Sequence, residues 1–60
     1  MSLSRLLTYK DVAELLGLSV IAVKELRRSG ALPYVRISER FIRFREQDVM
    51  QFIEDRHVEV

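Results

Sequence analysis

The stretch Leu15-Leu16-Gly17-Leu18-Ser19-Val20-Ile21-Ala22-Val23 decides the fold, because one helix ends and a second begins within it. Gly17 closes the first apolar run and can take the positive φ of a helix C-terminus at little steric cost. Ser19 suits the start of the next helix, since its hydroxyl can accept a hydrogen bond from a backbone N–H of the first turn. The stretch therefore predicts two helices joined by a very short turn.

The side chains around this turn have the sizes that a steep helix crossing requires. A short turn brings the two helices close together, so the residue at their closest approach must be small, as Ala13 is. Val23 and Leu26 are then expected to face back onto Ala13 from the second helix. These features indicate a helix-turn-helix that recognises nucleic acid. The alternative is a plain αα-hairpin that packs on its own core.

Composition limits the class of protein. The 60 residues suffice for one small domain, expected to span residues 1–60, and domains of this size hide only about 60% of their unfolded surface. Cys is absent, so disulfides and thiolate metal sites are excluded and a reducing cytoplasm is compatible. No apolar stretch reaches the length of a membrane span, and the N-terminus lacks a signal-peptide core. A soluble, cytoplasmic protein with no membrane partner is expected.

Charge is distributed unevenly along the chain, although the formal net charge is only +1. Residues 24–45 carry seven basic and two acidic side chains, whereas the flanks carry three basic and seven acidic ones. Six of the seven central cations are Arg, whose guanidinium matches phosphate oxygens and guanine edges with two hydrogen bonds. The pattern favours a one-sided nucleic-acid surface over the alternative, a merely solvated charged face.

Capping signals and apolar periodicity place the two helices. Residues 1–7 are predicted to form a partly mobile N-terminal segment. Its leucines, Leu3, Leu6 and Leu7, are expected to cover the core. Thr8 caps a first helix over residues 9–16, with Asp11 completing a shortened capping box. The second helix runs from Val20 to about Arg28, before a second C-terminal glycine, Gly30. The first helix is expected to bury Val12, Ala13, Leu15 and Leu16, and the second to expose Val20, Ile21, Lys24, Glu25, Arg27 and Arg28.

A β-hairpin is predicted after Pro33, because residues 34–37 and 41–44 alternate with period two around Ser38-Glu39-Arg40. Val35 and Ile37 are expected to point inward, with Phe41 and Phe44 serving the core first and nucleic-acid stacking only second. Arg36 and Arg43 would then point outward, with Arg40 at the tip. The sequence thus predicts a basic wing that lies along a DNA backbone or enters a minor groove.

Helical periodicity returns at Glu46, where Val49, Met50, Phe52 and Ile53 form an apolar stripe. This third helix is expected to pack across the other two and to end near Arg56, with residues 57–60 loose. His57 has no partner ligand or nucleophile nearby and is assigned no chemistry. The fold class that follows is mostly α with a small hairpin: a winged helix-turn-helix of three helices and a two-stranded wing.

Three stretches, residues 7–19, 28–33 and 44–53, resemble the short winged helix-turn-helix proteins related to MerR, specifically the excisionase and AlpA-like regulators of phages and mobile elements. The resemblance covers nearly the whole chain. It implies that the second helix enters the major groove of DNA, that the wing reaches an adjacent groove or backbone, and that the third helix completes the core. It further implies a protein that bends DNA or assembles cooperatively on repeated sites to steer a recombinase, or that acts as a small transcription factor.

The predicted DNA-binding residues form three groups. They are Ser19, Val20, Ile21, Lys24, Arg27 and Arg28 on the recognition helix, Arg36, Arg40 and Arg43 on the wing, and Thr8, Tyr9 and Lys10 at the N-terminus of the first helix. The expected partners are double-stranded DNA, a site-specific recombinase or RNA polymerase, and further copies of the chain on DNA.

The chain departs from the resembled family in two places. Val20 and Ile21 stand where polar or basic residues are usual, and Ser38-Glu39 stands where the wing turn favours glycine. The first departure leaves a rival function open, in which the Val20–Ile21 face docks a protein partner. An enzyme, a cofactor and a metal site are not expected, because the chain has no Cys, one His and no glycine-rich phosphate loop.

Overall fold

The computed structural model describes residues 5–56. Its elements, in chain order, are β1 (Leu6–Leu7), α1 (Tyr9–Leu16), α2 (Val20–Arg28), β2 (Val35–Arg36), β3 (Ile42–Arg45) and α3 (Glu46–Asp55). The predicted winged helix-turn-helix is confirmed, with both predicted helix boundaries around Gly17 at the expected residues. The predictions made for Leu3, for His57 and for a loose C-terminus lie outside the described residues.

Local hydrogen bonds define the ends of α1 and the start of α2. The Thr8 hydroxyl accepts from the Asp11 N–H and the Asp11 carboxylate accepts from the Thr8 N–H, both at 3.1 Å, so the capping box is present. Gly17 has φ 68°, and the next N–H, that of Leu18, donates to the Ala13 carbonyl at 2.9 Å. The Ser19 hydroxyl accepts from the Ala22 N–H at 3.1 Å. Each predicted cap of this turn is confirmed.

The core lies between the α1–α2 pair, β3 and α3. Ala13 and Val23 are buried where the two helices meet, as predicted, and Phe44 is fully buried. Leu15, expected in the core, is instead 53% exposed. The buried stripe of α1 consists of residues 9, 12, 13 and 16, and Leu15 falls outside that helical spacing. The buried hydrophobic residues are Leu7, Val12, Ala13, Val23, Leu32, Ile42, Phe44, Val49 and Phe52.

Three strands form an antiparallel sheet in the order β1-β3-β2. The strand β1 was not predicted: Leu6 pairs with Arg45 and Leu7 with Phe44. Two residues give no periodicity from which a strand could be recognised, and β1 exists because β3 offers it a partner. Leu7 covers the core as expected, whereas Leu6 is exposed.

The register of the hairpin reverses the predicted faces of β2. Val35 pairs with Arg43 and Arg36 with Ile42, and directly opposed residues of an antiparallel pair point to the same face. Val35 therefore shares a face with Arg43, while Arg36 shares one with Ile42. The prediction that Arg36 and Arg43 point outward together was wrong. So was the inward placement of Ile37 and Phe41, because these side chains are 56% and 54% exposed.

The helix α3 follows β3 without a loop, since Arg45 ends the strand and is also the N-cap of the helix. Val49 and Phe52 are buried as predicted, but Met50 and Ile53 are exposed. The backbone of the helix comes closest to β3, and its buried residues Val49 and Phe52 belong to the same core cluster as the buried residues of α1 and α2. This direct chain connection keeps α3 next to β3 and leaves half of its apolar stripe exposed.

Candidate nucleic-acid interface

The outward face of α2 carries Ile21, Lys24 and Arg28. Their spacing of three and four residues places them along one side of the helix, and all three are exposed, Ile21 by 72%. Val20 and the cap residue Ser19 are exposed at the N-terminal end of the same helix. The first turn of α2 contains no acidic side chain. This face, defined here as Ser19, Val20, Ile21, Lys24 and Arg28, is the α2 face.

An aromatic side chain of α1 supports the α2 face. The Lys24 ammonium lies 5.5 Å from the centre of the Tyr9 ring, a cation–π distance. Tyr9 in turn packs edge-on against the buried Phe44, with ring centres 5.4 Å apart. Of the other residues predicted at this helix end, Thr8 is engaged in the cap and Lys10 is exposed. Lys24 is thus connected to the core through a ring of α1.

Arg27 does not lie with the rest of the predicted cations. Its side chain is half-buried, its guanidinium carbon lies 5.1 Å from the Tyr34 ring centre, and its Nε is buried without a hydrogen-bond partner. Arg28, one residue later, is exposed and forms no ion pair with another residue in the described part of the chain. The outward placement predicted for Arg27 was wrong, because the 100° step between successive helix residues turns it toward the segment after Pro33.

The wing cations differ in how firmly they are held. Arg36 and Arg40 are exposed, and neither forms an ion pair or side-chain hydrogen bond with any residue in the range 5–56. Arg43 is half-buried, with its Nη1 donating to the Ile42 carbonyl at 2.9 Å and its guanidinium carbon 5.8 Å from the Phe41 ring centre. Glu39 is an exposed acid in the turn between them.

Acidic side chains gather in a separate groove. Asp11, Glu14 and Glu46 line it with Arg5, and none of the predicted DNA-binding residues takes part. The pKa of the Asp11 carboxyl is lowered, chiefly by the hydrogen bond from the Thr8 backbone N–H. The charge asymmetry seen along the sequence therefore corresponds to different surfaces: the α2 face and wing are basic, and this groove is acidic.

Comparison with protein families identifies the chain. A family described as a helix-turn-helix domain matches residues 6–57. The chain belongs to this family. Its members are small, excisionase-like DNA-binding domains, which agrees with a basic face on the second helix of this helix-turn-helix domain. No curated protein and no solved structure matches the chain significantly.

Two aromatic residues of this helix-turn-helix domain were not predicted to support its cations. Tyr34 lies under Arg27 and Phe41 lies under Arg43. The six residues between Arg27 and Tyr34 include the end of α2 and a turn, so no helical or strand periodicity links the two. Phe41 and Arg43 are two residues apart on a predicted strand, and residues at this spacing lie on the same face. This spacing was the sequence signal that could have predicted their contact.

Residues 5–56 contain no cluster of three or more His, Cys, Asp or Glu side chains that could hold a metal ion. Within the same residues, no helix is both long and apolar enough to cross a membrane.

Proposed function

We propose that the protein binds double-stranded DNA sequence-specifically, as an excisionase-like recombination directionality factor or a small transcriptional regulator of a phage or mobile element. The observation that carries this proposal is the α2 face, where an exposed isoleucine directly after a tight helix-turn-helix turn is followed along the same side of the helix by the exposed cations Lys24 and Arg28. A second helix placed this way can enter a major groove with its N-terminal residues nearest the base edges.

Each part of the interface has a distinct role in this proposal. Val20 and Ile21 contact thymine methyl groups, an apolar form of base readout. Lys24 reaches base edges from the same face, and Arg28, near the C-terminal end of α2, contacts phosphate. Arg36 and Arg40, which have no carboxylate partner within the described residues, contact the neighbouring groove or backbone.

The test is a footprint on the DNA that flanks the gene of this protein, followed by affinity measurements on the protected duplex at several salt concentrations. We expect a discrete protected segment, tighter binding to it than to a scrambled duplex, and an affinity that falls steeply with salt because bound phosphates release counterions. Equal affinity for both duplexes, or none for either, would contradict the proposal.

The position of the footprint and the response of a partner enzyme then distinguish excision from transcriptional regulation. A footprint beside a recombination site, together with increased excision when the protein is added to the cognate recombinase, favours the directionality factor. A footprint over a promoter, with changed transcription by RNA polymerase, favours the regulator. Binding that steepens over tandem sites would indicate cooperative self-association on DNA.

A second candidate function is a winged-helix module that docks a protein through Val20 and Ile21. It is favoured by the 72% exposure of Ile21, since adjacent exposed apolar residues are typical of protein-binding surfaces. Retention on generic duplex DNA at low salt separates the two functions. If protein docking is the function, Val20→Ala should weaken the complex with the protein partner and leave the retention on duplex DNA unchanged.

A further inference from the structure

The wing presents an apolar pair on the face that points away from the core. The Ile37 N–H donates to the Phe41 carbonyl at 2.9 Å, so these two residues oppose each other at the last pair before the turn. Their side chains are 56% and 54% exposed. The neighbouring pair on the same face is Val35 with Arg43. We define Ile37 and Phe41 as the wing-tip pair.

Two arginines lie next to the wing-tip pair. Arg40 lies in the turn beside it, and Arg43 lies against the Phe41 ring, whereas Arg36 belongs to the opposite face of the ribbon. The single acid in this region of the described chain is Glu39. An apolar tip next to cations that have no carboxylate partner within residues 5–56 complements DNA, in which stacked, apolar bases lie between two strands of phosphate.

We propose that the wing-tip pair acts as a wedge in the minor groove, with the Phe41 side chain entering between two base pairs and Ile37 supporting it. The proposal rests on the DNA binding proposed above. Apolar side chains of this kind partly unstack a base step and kink the duplex toward the major groove. Pyrimidine–purine steps are the most easily opened, so the wedge adds a preference for such a step where the wing lands.

The geometry of the hairpin suits this role. The inner face of the wing is fixed, because Ile42 and Phe44 are buried in the core. The backbone hydrogen bonds of the turn run between Ile37, Ser38 and Phe41, at 2.9 to 3.3 Å. The wing-tip pair is therefore held on a braced ribbon, and inserting it into DNA exposes no core residue.

The experiment uses the 60-residue chain and a set of duplexes of about 30 base pairs, a length over which bending is readily measured. Each duplex carries a fluorescent adenine analogue, which brightens when unstacked, at a different position of one TA-rich sequence. Four proteins are compared at low salt: wild type, Phe41→Ala, Phe41→Leu and Met50→Ala. Met50 is a matched control, because it is 50% exposed on α3.

Wild type and Met50→Ala should brighten the analogue at one or two neighbouring positions. Phe41→Ala should abolish this signal and bind roughly tenfold more weakly, the effect expected from losing about one aromatic contact with a base. Phe41→Leu should keep most of the signal, because leucine is also an effective wedge. The melting temperatures of all four proteins should agree closely, since both altered positions are exposed.

Different failures identify different errors. If the wild type binds the duplexes but brightens no position, the wedge is wrong and the proposed DNA binding stands. If Phe41→Leu and Phe41→Ala bind DNA equally weakly but both brighten the analogue as wild type does, Phe41 does not open a base step and only positions Arg43. If Phe41→Ala instead dissociates a dimer in sedimentation without DNA, the wing-tip pair is a self-association surface. Absence of any duplex binding would remove the proposed function and the wedge together.

Discussion

The α1–α2 pair and the wing contribute the two parts of the proposed interface, and they are held by interactions of different range. The cap and turn hydrogen bonds from Thr8 to Val23 join residues at most five apart. The wing instead depends on β3, which pairs with β1 from the other end of the chain and buries Phe44 under α1. A two-stranded ribbon of this size is not stable alone.

This difference determines how each region responds to substitution. In the α1–α2 pair, a substitution should affect only the turn or cap in which it lies, so the loss of stability should be modest. In the wing, two neighbouring residues of the same type can have very different effects, because one faces the core and the other faces outward. The predictions below test this contrast, beginning with the largest effect.

The largest expected effect is at Phe44, which is fully buried. Phe44→Ala should lower the free energy of unfolding by about 3–5 kcal/mol, the usual cost of removing a core phenylalanine. Phe41→Ala, the same change three residues earlier on the exposed face, should stay within about 0.5 kcal/mol. Urea denaturation of both variants measures the contrast. Similar losses at the two positions would mean that the assigned register is incorrect.

The next effect concerns Gly17, whose φ is 68° and whose missing Cβ would meet no atom within 4 Å. Gly17→Val should therefore destabilise by backbone strain alone, by about 1–3 kcal/mol. Gly17→Asn is the matched control and should lose less, because asparagine tolerates the left-handed region. Thermal unfolding measures both variants. An equal loss would indicate that side-chain crowding, and not φ, limits this position.

A smaller effect is expected at Asp11. The lowered pKa of its carboxyl determines how its contribution to stability changes with pH. The pKa of its carboxyl is lowered from the ordinary value of 3.8, so the ionised form is favoured in the folded state. Its contribution to stability is then present at neutral pH and is lost as the pH falls through the folded-state pKa. Asp11→Asn should melt below wild type at pH about 7, with the difference shrinking in acid.

Glu14→Gln is the control for this pH dependence, because the Glu14 side chain is exposed on the same helix and forms no cap hydrogen bond. Melting curves recorded from neutral to acidic pH provide the measurement. A difference between Asp11→Asn and wild type that stays constant in acid would show that the ionised form of the Asp11 carboxylate is not what stabilises the capping box.

The smallest effect on stability is expected at Arg28. Arg28→Ala should change stability by less than about 0.5 kcal/mol, as exposed substitutions usually do, while the salt slope of DNA binding falls by about one. Arg27→Ala is the neighbouring comparison, and it should destabilise more because Arg27 packs over Tyr34. Anisotropy titrations at several salt concentrations measure the slope. An unchanged slope for Arg28→Ala would remove it from the phosphate contacts.

Local sequence was sufficient for the α1–α2 pair and for the position of α3. Gly17, Ser19 and the Thr8–Asp11 box act on backbone groups within one helical turn, so their residue types alone specify where the helices begin and end. The basic character of the α2 face could be predicted for the same reason, since helical spacing fixes which residues lie together. Arg27 was the exception, because its position depends on Tyr34, a residue of another segment.

The sequence by itself determined the three helices, the existence of a hairpin and the grouping of cations between residues 24 and 45. Only the tertiary structure decided β1, the exposure of Leu15, and the faces of the wing. The physical reason is clearest in the hairpin: the three-residue turn 38–40 pairs Ile37 with Phe41, whereas the predicted inward Ile37 required a register shifted by one. A shift of one residue exchanges the two faces of a strand, and it is the burial of Ile42 and Phe44 against the helices that selects the register observed.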